Sequence, residues 1–167
     1  VIPDTSDFSR FETALCRELR SDARQYALEE PITTIYAGGG RPSLLPLTSV
    51  HSILTTLLDK FDASHIEEAT AELSPADAQP RYVHGLKRMG FDRLSLDVLS
   101  FFPRDLQALD TPHSAEEAIR TVRTAREVGF DTLSVDLLFG WPEQSLSTWK
   151  ATLCHAVELR IPHLTLI

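Results

Sequence analysis

A chain of 167 residues, 43% hydrophobic and 24% charged, is long enough to bury the core of one globular domain. Its formal charge of −8, with Lys and Arg scattered rather than striped, argues against a nucleic-acid or anionic-membrane surface. There is no apolar run of membrane-spanning length and no signal-peptide pattern, and the two cysteines, Cys16 and Cys154, read as buried free thiols of a reducing, cytoplasmic setting.

Phe8, Phe11, Leu15 and Leu19 recur at three- and four-residue spacing and predict a first helix. A strand over 32–37 stops in Gly38-Gly39-Gly40. Glycine takes positive φ freely and keeps no side chain between a ligand and the backbone, so this loop is the first candidate binding element. Thr48 is the expected cap of a second helix with Val50, Ile53, Leu54, Leu57 and Leu58 on its apolar stripe. A strand over 68–73 ends at Ser74-Pro75, a short helix covers 80–89, and a strand covers 93–99. Ser114 and Glu117 form a capping box before a helix with Ile119, Val122, Ala125 and Val128 inward. A strand over 132–138, a Gly140-Trp141-Pro142 turn, a helix from about 147 to 159 and a strand over 163–167 complete the chain. The absent initiator Met and the apolar last residues suggest that 1–167 is one domain of a longer protein.

One internal echo organises these elements. The segment from Met89-Gly90-Phe91-Asp92 to Asp97-Val98-Leu99 reappears from Val128-Gly129-Phe130-Asp131 to Asp136-Leu137-Leu138, offset by 39 residues between Gly90 and Gly129. That length suits one helix–loop–strand unit, with each helix ending at a left-handed glycine cap. Strands alternating with helices, without hairpin signals, predict an α/β fold with a parallel sheet. A closed or partly closed barrel explains the order better than a doubly wound sheet, although five strands leave both open.

Functional positions in such a barrel lie at the C-terminal strand ends, here Gly38 to Arg41, Glu72, Leu99-Ser100 and Asp136. Glu72 and Asp136 are acidic residues on otherwise apolar strands. They are either acceptors for a ligand amine or ribose hydroxyls, or partners of neighbouring Arg, Lys or backbone N–H groups. Asp97, the echo partner of Asp136, shows that an Asp recurs at this place, so the two readings stand evenly. The glycine run is not a phosphate-binding Walker loop, since no Gly-Lys-Ser/Thr follows, and the six histidines show no metal-ligand spacing.

The motifs Ile35-Tyr36-Ala37-Gly38-Gly39-Gly40-Arg41-Pro42-Ser43, Ala71-Glu72-Leu73-Ser74-Pro75 and Arg93-Leu94-Ser95-Leu96-Asp97-Val98-Leu99-Ser100-Phe101 are followed by His113-Ser114-Ala115-Glu116-Glu117-Ala118 and Asp136-Leu137-Leu138-Phe139-Gly140-Trp141-Pro142. In this order they resemble the oxygen-independent coproporphyrinogen III oxidase family of radical SAM proteins. His113-Ser114 and Ser147-Thr148-Trp149 are nearer its haem-chaperone-like branch.

The resemblance implies a partial (β/α) TIM barrel holding S-adenosylmethionine and a 4Fe–4S cluster, with a tetrapyrrole as substrate or haem as cargo. It implies 5′-deoxyadenosyl radical chemistry in a porphyrin-metabolic oxidoreductase or, alternatively, a non-catalytic haem-binding relative. Gly39 and Gly40 match the glycines that meet the methionyl amino group, Glu72 an acid holding the same moiety, and Asp136 an acid near the ribose. Three positions depart from the family. Leu99 stands where it has Gln in Gly-Val-Gln-Ser-Phe, Thr111 where it has an Arg near the S-adenosylmethionine carboxylate, and Arg41 where it has Thr. Arg41 is thus the candidate to replace the lost positive charge. The family's Cys-x-x-x-Cys-x-x-Cys cluster loop is not in this sequence. The resemblance implies that the first strand and this loop lie before Val1, and that these residues alone are inactive.

Overall fold

The computed structural model describes residues 5–26 and 30–167. Its elements are α1 (Thr5–Tyr26), β1 (Thr34–Ala37), α2 (Leu47–Lys60), β2 (Glu68–Leu73), α3 (Pro80–Arg88) and β3 (Arg93–Leu99), then α4 (Pro103–Ala108), α5 (Ala115–Val128), β4 (Thr132–Leu137), α6 (Leu146–Glu158) and β5 (His163–Leu166). A 3-10 turn, Pro42–Leu44, follows the glycine loop. The strands hydrogen-bond in chain order, β1-β2-β3-β4-β5, and the pairs β2–β3, β3–β4 and β4–β5 are parallel. A doubly wound sheet would reverse its strand order at a switch point. Unbroken chain order is the arrangement of a (β/α) barrel, here a partial one.

The chain divides into two compact units. One holds the described residues up to Tyr36 with Leu44–Ala69, and the other holds Ala37–Ser43 with Thr70–Ile167. In the first unit α1 packs on α2. Cys16 is buried there, and the Thr56 hydroxyl donates to its sulfur at 3.5 Å. The hydroxyls of Ser49 and then Ser52 hold the Glu12 carboxyl below the usual carboxylate range. Small and polar side chains therefore occupy much of this contact. Phe11 is 52% exposed and Leu58 42% exposed, so neither belongs to the buried stripe their spacing predicts.

In the second unit the strands are two-faced. Leu94, Leu96 and Val98 on β3 and Leu133, Val135 and Leu137 on β4 are fully buried, as are Val83 of α3 and Ala118, Val122 and Ala125 of α5. Each such Leu or Val contributes about 1.5–3 kcal/mol by leaving water. The alternate face carries Thr70 and Glu72, Arg93, Ser95 and Asp97, then Ser134 and Asp136. The Ser134 hydroxyl donates to Ser95 at 2.9 Å, and Arg93 donates to Thr70 and Ser134 at 3.3 and 3.2 Å. This polar face positions the site.

The 39-residue echo is the strand register itself. Arg93 pairs with Thr132, Leu94 with Leu133, Ser95 with Ser134, Leu96 with Val135 and Asp97 with Asp136. The register then slips, and Leu99 pairs with Leu137. Gly90 (φ 99°) and Gly129 (φ 93°) adopt the expected left-handed conformation after α3 and α5. The Ser114–Glu117 capping box forms as read: Glu117 N–H donates to the Ser114 hydroxyl at 3.2 Å, and Ser114 N–H to the Glu117 carboxylate at 2.8 Å.

Several local readings are corrected. Helix α2 starts one residue before Thr48, behind an extended Pro46 that offers no side-chain cap. Helix α6 starts at Leu146 because Ser145, with Thr148, makes the capping box. Helix α4 has no counterpart in the sequence reading; Pro103 at its first turn and Asp105 bonded to Ser100 (2.8 Å) explain its start. Cys154 is exposed on α6 rather than buried.

Candidate functional site

The glycine loop turns sharply after β1, with Gly39 at φ 84° and Gly40 at φ 65°. Both values fall where a side chain is strained, and a Cβ at either position would meet nothing within 4 Å. The backbone there faces open space. Gly39 N–H donates to Glu72 Oε2 at 2.8 Å, tying the loop to the end of β2.

Asp77, in the turn before α3, pins the rest of the loop. Arg41 forks onto it, Nε to Oδ2 and Nη2 to Oδ1, both at 2.8 Å, and the Ser43 hydroxyl donates to Oδ2 at 2.6 Å. Ser74 N–H in turn donates to Ser43 Oγ at 3.4 Å. A forked Arg–carboxylate pair fixes orientation as well as distance. The guanidinium of Arg41 therefore faces Asp77, and its charge is matched within the protein.

These residues border a cavity of about 170 Å³ lined by Gly40, Arg41, Pro42, Ser43, Glu72, Leu73, Ser74, Ser95, Asp97 and Asp136, all in the second unit. Pockets that enclose a whole drug-sized ligand hold roughly 300–1,000 Å³. This one suits a single polar end of a longer molecule. Asp136 Oδ1 is buried without a hydrogen-bond partner, a vacancy that costs about 1–3 kcal/mol. A ligand hydroxyl or ammonium would fill it. Although Asp97 is exposed as a residue, desolvation of its carboxyl at the cavity wall raises its pKa above the ordinary value. The Asp136 carboxylate adds to that, the His113 ring opposes it, and Glu72 (raising) and Arg41 (lowering) follow.

The structure thus brings Gly39, Gly40, Arg41, Glu72 and Asp136 together. It does not bring Leu99 or Thr111 to the cavity wall. Leu99 sits in the bulge that breaks the β3–β4 register, at φ 63°, a conformation costing a non-glycine residue about 1–2 kcal/mol. The Thr111 hydroxyl turns to the carbonyls of Leu106 and His113, at 3.2 and 3.1 Å. His113 is buried and its Nε2 donates to the Val98 carbonyl at 3.0 Å, bracing β3 beside the bulge. Asp77 is the residue sequence reasoning missed. Its signal was an acid just after Ser74-Pro75, a turn pattern that names no distant partner. Ser43 and Ser95 were also missed, because a serine in a loop or strand carries no pattern of its own.

The sequence profile of the Radical SAM superfamily matches residues 5–154. The heme chaperone HemW of Escherichia coli is 32% identical over 151 residues, covering 90% of this chain and 40% of that protein. The oxygen-independent coproporphyrinogen III oxidase of Synechocystis is 28% identical over 148 residues, covering 84% of this chain and 32% of that protein. Among solved structures, the coproporphyrinogen III oxidase HemN of Escherichia coli superposes with a TM-score of 0.88 at 24% identity, covering 96% of this chain and 37% of that one. The chain thus spans about two fifths or less of each of these relatives.

Proposed function

The chain belongs to the radical SAM superfamily, and from that premise we propose that its cavity holds the methionyl end of S-adenosylmethionine, in a cytoplasmic protein of porphyrin or haem metabolism resembling coproporphyrinogen III oxidase. One observation carries the proposal: glycine-loop backbone, the Glu72 carboxylate and the partnerless Asp136 Oδ1 converge on one small cavity. In this reading Gly39 and Gly40 admit the ligand against bare backbone. Glu72 accepts from its ammonium and at the same time holds Gly39 N–H. Asp136 accepts from a ribose hydroxyl. Arg41 fixes the loop through Asp77 rather than matching the ligand carboxylate, because both prongs of its guanidinium are already engaged. Leu99 and Thr111 take no part at this end of the ligand.

What such a cofactor supplies is one-electron cleavage at its sulfonium. A 4Fe–4S cluster takes three or more thiolates, whereas this sequence has two cysteines, in α1 and α6, and no group fit to hold a metal exists among the described residues. The residues of this chain do not fit the cluster, so their part is to bind and orient the cofactor.

A second reading, a non-catalytic haem-binding relative, is favoured by the several relatives named heme chaperones. A longer protein that carries this chain together with a Cys-x-x-x-Cys-x-x-Cys loop, reconstituted anaerobically with iron and sulfide, separates the two. Saturable S-adenosylmethionine binding by calorimetry, with 5′-deoxyadenosine formed on reduction and coproporphyrinogen decarboxylated, is expected for the first. A stoichiometric haem absorbance spectrum without decarboxylation is expected for the second. No S-adenosylmethionine binding at millimolar concentration would overturn the cofactor assignment.

A further inference from the structure

Asp97 is a third carboxyl on the cavity wall, with no role in the assignment above. It lies on β3 in register with Asp136 on β4, so both side chains leave the same face of the sheet, one strand spacing of about 4.8 Å apart. Glu72 lines the same cavity from β2. The basic side chain on this wall, Arg41, is already matched by both oxygens of Asp77. One Asp136 oxygen is buried with nothing to accept from. The crowding is visible at Asp97, where desolvation and the neighbouring Asp136 and Glu72 disfavour the charged form more than His113 and Arg41 restore it. A wall of this kind is relieved further by each positive centre a ligand adds, and a sulfonium adds one to the ammonium.

We propose that Asp97 is a charge-selecting residue: with Asp136 and Glu72 it makes the cavity prefer a sulfonium ligand over the neutral thioether of nearly the same shape. The inference rests on the S-adenosyl reading of the site and adds the means by which the sulfonium cofactor is distinguished from thioether analogues of it. A carboxylate on the wall of a cavity that seats a sulfonium carries roughly a tenfold factor in affinity and acts less on the thioether analogue, which keeps only the ammonium.

The test is equilibrium dialysis of labelled S-adenosylmethionine and S-adenosylhomocysteine against the intact protein and its Asp97→Asn and Asp97→Gly variants, with thermal melts to confirm folding. The wild type is expected to prefer S-adenosylmethionine. Both variants should lose about tenfold in affinity for it while binding S-adenosylhomocysteine within twofold of wild type. Equal losses for both ligands would make Asp97 a structural residue and overturn the inference, as would no loss for either. If neither ligand binds the wild type, the S-adenosyl reading itself falls, an outcome distinct from loss of selectivity alone.

Discussion

Replacing Asp77 by Ala should unpin the glycine loop. Three donors lose their acceptor: Arg41 Nε and Nη2, each at 2.8 Å, and the Ser43 hydroxyl at 2.6 Å. The Arg41 side chain is 35% exposed and that of Asp77 16%, so solvent screening reduces the ion pair to about 1 kcal/mol. The hydroxyl of buried Ser43 donates to a charged group, which adds about 1.5 kcal/mol. Asp77→Ala is therefore expected to cost roughly 2–3 kcal/mol, Arg41→Ala about 1 kcal/mol, and the double variant about 1 kcal/mol less than their sum. Urea unfolding reads the totals, and amide hydrogen exchange over 37–43 reads the loop. A loss below about 0.5 kcal/mol for Asp77→Ala with unchanged loop exchange would refute the clamp, because the buried Ser43 hydroxyl would then have lost its charged acceptor at no cost.

Asp97 should oppose folding at neutral pH. Its pKa in the folded state is raised from 3.8, so the folded protein holds that proton more tightly than the unfolded chain. The penalty is present above the raised value and disappears as pH falls below 3.8. Asp97→Asn should therefore unfold at higher temperature than wild type at pH 7 and at the same temperature near pH 3.5, as melts across that range would show. Gly40→Ala should cost about 1 kcal/mol through its φ of 65° without a clash, since no atom lies within 4 Å of the added Cβ. Its S-adenosylmethionine affinity, by calorimetry, should fall further than its stability. Cys154 should react with a thiol reagent in the native protein well before Cys16, which becomes reactive only on unfolding; simultaneous labelling would contradict the burial of Cys16.

The parts of the fold that were legible in the sequence are those set by local chemistry or repeated pattern. The echo between Gly90–Leu99 and Gly129–Leu138 announced parallel strands, and its 39-residue offset became the register from Arg93–Thr132 to Asp97–Asp136. Ser114 with Glu117, and the caps at Gly90 and Gly129, are decided within a few residues and formed as read. The bulge at Leu99 was not legible, because the two copies match through Leu99 and Leu138 although the ladder slips one residue earlier. Thr48 has the right side chain for a cap, but Pro46 already holds the extended conformation a cap requires. Phe11 fits a helical period yet faces outward, since burial on α1 is decided by what α2 presents. At the site, glycines and strand-end acids stood out. Asp77 did not, because its partners Arg41 and Ser43 are 36 and 34 residues away.

The cofactor assignment is tested most directly at the amides of Gly39 and Gly40. With the protein labelled in ¹⁵N, S-adenosylmethionine should shift these two resonances saturably. The shifts should weaken at least tenfold in apparent affinity in Asp136→Asn, where the partnerless carboxylate oxygen is lost as an anion. Binding that leaves Gly39 and Gly40 unmoved, or that is indifferent to Asp136, would contradict the account.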